Sequence, residues 1–145
     1  MAEVDEFLRL REMEALLVQA REETRRMEDE LTRLKKLDVQ MAEREALLKA
    51  TLQESKDINH KIAELDAKLA QHLAPAAMTA VEAEWLVLLV RQQELDQESE
   101  DHKTFLGGFS KTVNEIRAEV ESVVAESRTK KEQSLMRAKL LESEL

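Results

Sequence analysis

Between Asp5 and Leu73 the chain contains neither glycine nor proline, a run of nearly seventy residues without a backbone breaker. A compact domain turns its chain back repeatedly and uses Gly and Pro to do so. Here the whole 145-residue chain has two Gly and one Pro, and aromatic residues make up only 3% of it. A spherical core is thereby excluded, which leaves long helices or disorder. Hydrophobic residues amount to 43% and recur periodically, which decides for helix.

The period is that of a coiled coil. Leu10, Met13, Leu17, Ala20, Thr24, Met27, Leu31 and Leu34 step by alternating threes and fours, the 3.5-residue average that winds helices into a left-handed supercoil. From Leu31 the steps to Leu34 and Leu37 are both three, so a stammer that locally overwinds the supercoil is expected there. The pattern resumes through Leu48, Ile58, Ile62, Leu65 and Leu69, with Arg44, Thr51 and Ser55 on core positions.

The single proline, Pro75, disfavours helix at Ala74, and Thr79 with Glu82 has the form of a capping box that opens a new helix. The expected organisation is a first coiled-coil helix over 1–73, a turn over 74–79 and a second arm over 80–145. Arms of nearly equal length, each about 100 Å at 1.5 Å per residue, joined by a short loop predict an antiparallel hairpin. An extended rod kinked at Pro75, with each arm paired to another chain, is the alternative. The fold class is all-α in either case.

Three features bear on function. The run Trp85-Leu86-Val87-Leu88-Leu89-Val90 is apolar around the whole helix circumference. Trp85, Leu88 and Leu89 are expected against Leu65 and Leu69, while Leu86 and Val87 point elsewhere. Oligomerisation or a dedicated docking partner would cover the rest. Next, five acids occupy the eight residues Glu94 to Asp101, a charge run that a solvated helix face accounts for. Finally, Phe105-Leu106-Gly107-Gly108-Phe109 places two glycines inside a helical stretch at a cost of about 2 kcal/mol relative to alanine. A break or hinge near 107–110, with Thr112 and Glu115 recapping a third helix, is expected. Alternatively the glycines admit a crossing helix that Phe105 and Phe109 grip. Beyond them Val113, Ile116, Val120 and Val123 restore a clean seam. Ser127, Lys130 and Ser134 then interrupt it, and Leu135, Ala138, Leu141 and Leu145 follow another phase. A loose spacer over 127–134 is the expectation.

The chemistry of the sequence mostly excludes. A formal net charge of −9 repels DNA, RNA and anionic membranes on average. The absence of cysteine removes thiol nucleophiles and disulfides and fits a cytoplasmic or nuclear protein. The acidic start, Met1-Ala-Glu-Val-Asp-Glu, lacks the basic region of a signal peptide. The six-residue apolar run falls short of the roughly 20 residues that cross a bilayer. His60, His72 and His102 have no metal-ligand spacing, and carboxylates on exposed faces are solvated charge. No catalytic, cofactor-binding or metal-binding residue is expected, and no small-molecule substrate.

Through Gln92-Gln93, an acidic stretch, Phe109 and spaced apolar residues, the segment from Val90 to Val123 is loosely similar to the C-terminal helix of the small shoulder subunits of dynactin. The similarity covers about thirty residues and includes no diagnostic motif, so it assigns no residue a role. The expected function is that of a non-enzymatic coiled-coil structural or adaptor subunit of a cytoskeletal, transport or chromosome-segregation assembly. Its partners would be other coiled-coil proteins, in hetero- or homo-oligomers. Candidate binding residues are Trp85, Leu86, Leu88, Leu89, Phe105, Phe109, Val113, Ile116 and Val120, with Pro75, Gly107 and Gly108 as hinges. The alternative is an export or chaperone-type hairpin adaptor that holds clients at its apolar tip.

Overall fold

The computed structural model describes residues 2–144, which form two helices, α1 (Ala2–Leu69) and α2 (Pro75–Glu144). They fold back on one another as an antiparallel hairpin. Glu3 and Asp5 in the first turn and Lys68 in the last turn of α1 complement its dipole.

The turn lies at 70–74, earlier than the expected 74–79. α1 closes with Ala70 N donating to Asp66 O (3.1 Å) and Gln71 N to Lys68 O (3.0 Å), a tightening of the last turn typical of helix ends. α2 then opens on Pro75 itself, and the first bond of its ladder runs from Met78 N to Ala74 O (2.9 Å). Proline suits this position because its φ is already helical and its missing N–H has no partner there to lose. Thr79 is therefore not a cap. Its hydroxyl donates to Pro75 O (3.0 Å) inside the first turn of α2.

The inner face of α1 is two rows of residues at seven-residue steps, one from Met13 to Leu69 and the other from Leu16 to Leu65, all buried or half-buried. The expected stammer is absent. Leu10, Leu17 and Leu31 lie outside the seam, 49%, 40% and 51% exposed, and Leu16, Glu23 and Glu30 take the inner positions. The reason is register: this phase is the one that Leu37, Leu48, Ile58 and Leu65 impose downstream. Keeping it lets α1 mate with α2 at an unbroken 3.5-residue period.

In α2 the row from Met78 through Trp85, Gln92, Ser99, Leu106, Val113, Val120, Ser127 and Ser134 to Leu141 is likewise uninterrupted. Two expectations fail here. The helix runs straight through Gly107-Gly108, with neither glycine at positive φ, so there is no break and no third helix capped at Thr112. Nor is 127–134 a loose spacer. Ser127 and Ser134 are buried and lead directly to buried Ala138 and Leu141, while Leu135 is the residue left outside. Small serines let the row keep its step where leucine continues it two turns later, at Leu141. Leu145 lies outside the described residues.

The contacts of the hairpin group into two compact units, Met1–Asp38 with Thr112–Leu145 and Val39–Lys111. In the first, Ala20 and Leu34 are buried with Val113, Val120, Ala138 and Leu141. Its flanks are tied by Arg117 to Asp38 (2.7 Å), Arg137 to Glu12 (3.5 Å) and Arg9 to Glu144 (3.7 Å). In the second, Ile58, Leu65 and Leu95 form the core together with Thr51 and Ser99. Arg44 and Ser55 are half-buried in the seam as the spacing predicts, and Gln92 Nε2 donates to Ser55 Oγ across it (2.8 Å).

Candidate protein-binding site

The hairpin seam takes up part of the apolar surface that the sequence offers, and seventeen large hydrophobic side chains stay exposed among the described residues, Leu86, Val87 and Val90 of the candidate site among them. Val113 and Val120 are buried and Ile116 half-buried between α1 and α2. Their surface is already taken up by α1. Truncating that seam would open the hairpin rather than remove an external contact.

The run from Trp85 to Val90 divides as its helical spacing predicts. Trp85, Leu88 and Leu89 are half-buried. Trp85 Nε1 donates to Asp66 Oδ1 at 2.8 Å, so the indole has its polar demand met within the hairpin. Leu86, Val87 and Val90, on the opposite side, are 55%, 68% and 56% exposed. With Arg91 and Glu94 they line a shallow apolar concavity on the outer face of α2.

The polar rim of this patch is a cluster of surface ion pairs. Arg91 is forked onto Glu54 (3.0 and 3.1 Å) and also reaches Glu94 (3.1 Å) and Glu98 (3.4 Å). The Glu54 carboxylate, then that of Glu94, holds the guanidinium pKa above its ordinary value. Part of the acidic run at 94–101 thus serves to fix one arginine beside the apolar patch. Val90, Arg91 and Glu54 carry no motif of their own. The one signal that could have selected Val90 is that it lies three and four residues from Val87 and Leu86 on the outer face.

Phe105 and Phe109 share a face and stack, ring centroids 5.2 Å apart at an interplanar angle of 18°. Phe109 is half-buried in the seam and Phe105 flanks it at the surface. The Arg44 guanidinium lies 4.3 Å above the Phe105 ring, a cation–π contact that occupies one face of the aromatic pair. A Cβ at Gly107 or Gly108 would meet nothing within 4 Å, so no helix of the hairpin crosses there. The sequence features at 75, 85–90 and 105–109 are therefore not assembled into one site.

Among the described residues no group of three or more His, Asp or Glu is placed to hold a metal ion. No helix among them is long and apolar enough to cross a membrane. No family model, curated protein or solved structure matches the chain.

Proposed function

We propose that this chain is a non-enzymatic coiled-coil adaptor or structural subunit of a multi-protein assembly, acting in the cytoplasm or nucleus and binding helices of other coiled-coil proteins. The observation that carries this reading is the Leu86, Val87 and Val90 face. These three side chains stand on a fully formed helix, more than half exposed, while the seam beside them is satisfied within the hairpin. Soluble helices normally turn such positions polar, and an apolar patch with a fixed charged rim has the anatomy of a recognition surface. A partner helix laid along it would bury the three side chains and find Arg91 and Glu94 at its edge. A cytoskeletal, transport or chromosome-segregation setting is proposed only by analogy with other long-helix subunits.

The test is Leu86→Glu combined with Val90→Glu. Neither residue lies in the seam, so helix content and thermal stability should stay within about 0.5 kcal/mol of the parent. Recovery of partner proteins from native extract should be lost, and a photo-crosslinking residue at Val87 should link to a helical segment of one of those partners. Unchanged recovery of the same proteins by the double variant would sink this reading.

A further inference from the structure

In the unit formed by Met1–Asp38 and Thr112–Leu145, the two flanks of α1 differ. One flank carries Glu12, Gln19, Arg26 and Arg33, and it is pinned to α2 by the Glu12–Arg137 pair. The other carries Leu10, Leu17, Thr24 and Leu31 at seven-residue steps, with all three leucines exposed, and at the next step Asp38, where Arg117 of α2 pins it at 2.7 Å. Beside Leu31 a groove lined by Leu34, Val120 and Val124 continues this apolar flank, rimmed by Glu121 and Arg128. Thr24 interrupts the leucines without leaving a free donor, since its hydroxyl already donates to Ala20 O at 3.0 Å.

The next row outward along the same flank is Glu14, Arg21, Glu28 and Lys35. All four are exposed, they alternate in sign, and none has an ion-pair partner among the described residues. A row of alternating charges beside a row of leucines is the pattern by which coiled-coil surfaces choose partner and orientation. This row is complementary to its own reverse. Read antiparallel about Thr24, Glu14 meets Lys35 and Arg21 meets Glu28, while Leu17 meets Leu31 in the leucine row.

We propose that this flank of α1 is a self-association surface that binds a second copy of the chain, α1 against α1 in antiparallel orientation with the twofold axis at Thr24. Such an isologous contact uses one patch twice and closes as a dimer. It brings Leu17 of each copy onto Leu31 of the other, with Leu10 level with Asp38, and completes both charge rows. The competing arrangements are opposed by charge. Parallel pairing of α1 with α1 sets each of the four charges on its own like. A twofold along the helices sets α1 against α2 of the other copy, and at the offset of the Glu12–Arg137 pair Arg21 faces Arg128 and Glu28 faces Glu121. Like charges directly opposite disfavour both. This surface is separate from the Leu86, Val87 and Val90 face, and the proposal goes beyond the function inferred from that face.

Charge reversal tests it in a way that separates lost association from lost folding. Glu14→Lys with Glu28→Lys makes the row wholly positive, and Arg21→Glu with Lys35→Glu makes it wholly negative. Analytical ultracentrifugation of the full chain should give a dimer for the parent and a monomer for each variant at the same concentration, with helix content by circular dichroism unchanged. An equimolar mixture of the two variants should restore a dimer containing one copy of each. The Leu86→Glu, Val90→Glu chain should remain dimeric, so failure of either proposal is read independently of the other. A monomeric parent, variants that still self-associate, or a mixture that stays monomeric would each overturn the assignment.

Discussion

Replacing both Gly107 and Gly108 by alanine should stabilise the protein, and the size of the effect follows from the local geometry. Both glycines lie inside α2 with φ in the ordinary right-handed region, so alanine adopts the same backbone without strain. A new Cβ at either position meets nothing within 4 Å, so no packing changes sign. What remains is the intrinsic preference of alanine over glycine in a helix interior, about 0.8–1 kcal/mol per residue, much of it lost freedom of the unfolded chain. The pair should contribute about 1.5–2 kcal/mol, a factor of about 10–30 in the folded-to-unfolded ratio. For a chain of this size the expected rise in Tm is about 4–8 °C. Urea unfolding followed by far-ultraviolet circular dichroism reads this directly: the midpoint should rise while the slope stays constant. A lower midpoint, or none of the expected gain, would mean that the glycines serve a break or a close approach. The account of α2 as one continuous helix would then be wrong.

Other perturbations probe the seam and its ties. Leu95 is fully buried, so Leu95→Ala should cost about 2–5 kcal/mol, whereas Val87→Ala on the outer face should stay within about 0.5 kcal/mol; equal effects in chemical denaturation would refute the phase of α2. Ser127 is buried and its Oγ has no hydrogen-bond partner among the described residues. Ser127→Ala should therefore raise stability by about 1 kcal/mol, and a loss would reveal a bond to that hydroxyl. A double-mutant cycle of Trp85→Phe and Asp66→Ala should give a coupling of about 0.5–1.5 kcal/mol, with zero coupling placing the indole elsewhere. Lys130 bonds Glu126 at 2.9 Å and holds its carboxyl below the usual range. The small stabilisation from that exposed pair is present at neutral pH and lost as pH falls through the lowered value. In an NMR titration Lys130→Met should move the Glu126 pKa up, toward that of an unpaired carboxylate, and an unchanged titration would show that the pair does not form.

The absence of breakers from Asp5 to Leu73, the 3.5-residue period and the one proline were enough to determine long helices interrupted near Pro75 and to favour a hairpin over an extended rod, a choice that the packing of α1 on α2 then made. The division of the run from Trp85 to Val90 into seam and surface was equally legible, because helical spacing alone separates Trp85 and Leu88 from Leu86 and Val87. Three matters were settled only by tertiary contact. At the turn two start signals compete, and Pro75 prevails over the Thr79 pattern because α2 begins as soon as the chain has reversed. At Gly107-Gly108 the local penalty of about 2 kcal/mol is outweighed by burial of Leu106, Phe109 and Val113 on either side, a sum that no local window contains. Along residues 10–34 the row of Met13, Ala20, Met27 and Leu34 forms an acceptable seam with Leu17 and Leu31 or with Leu16 and Leu37. Periodicity is a property of one helix and cannot choose between neighbouring rows. The second helix chooses, because only the phase continuous with Ile58 and Leu65 lets every layer of α1 meet its counterpart in α2, and that choice leaves Leu10, Leu17 and Leu31 at the surface.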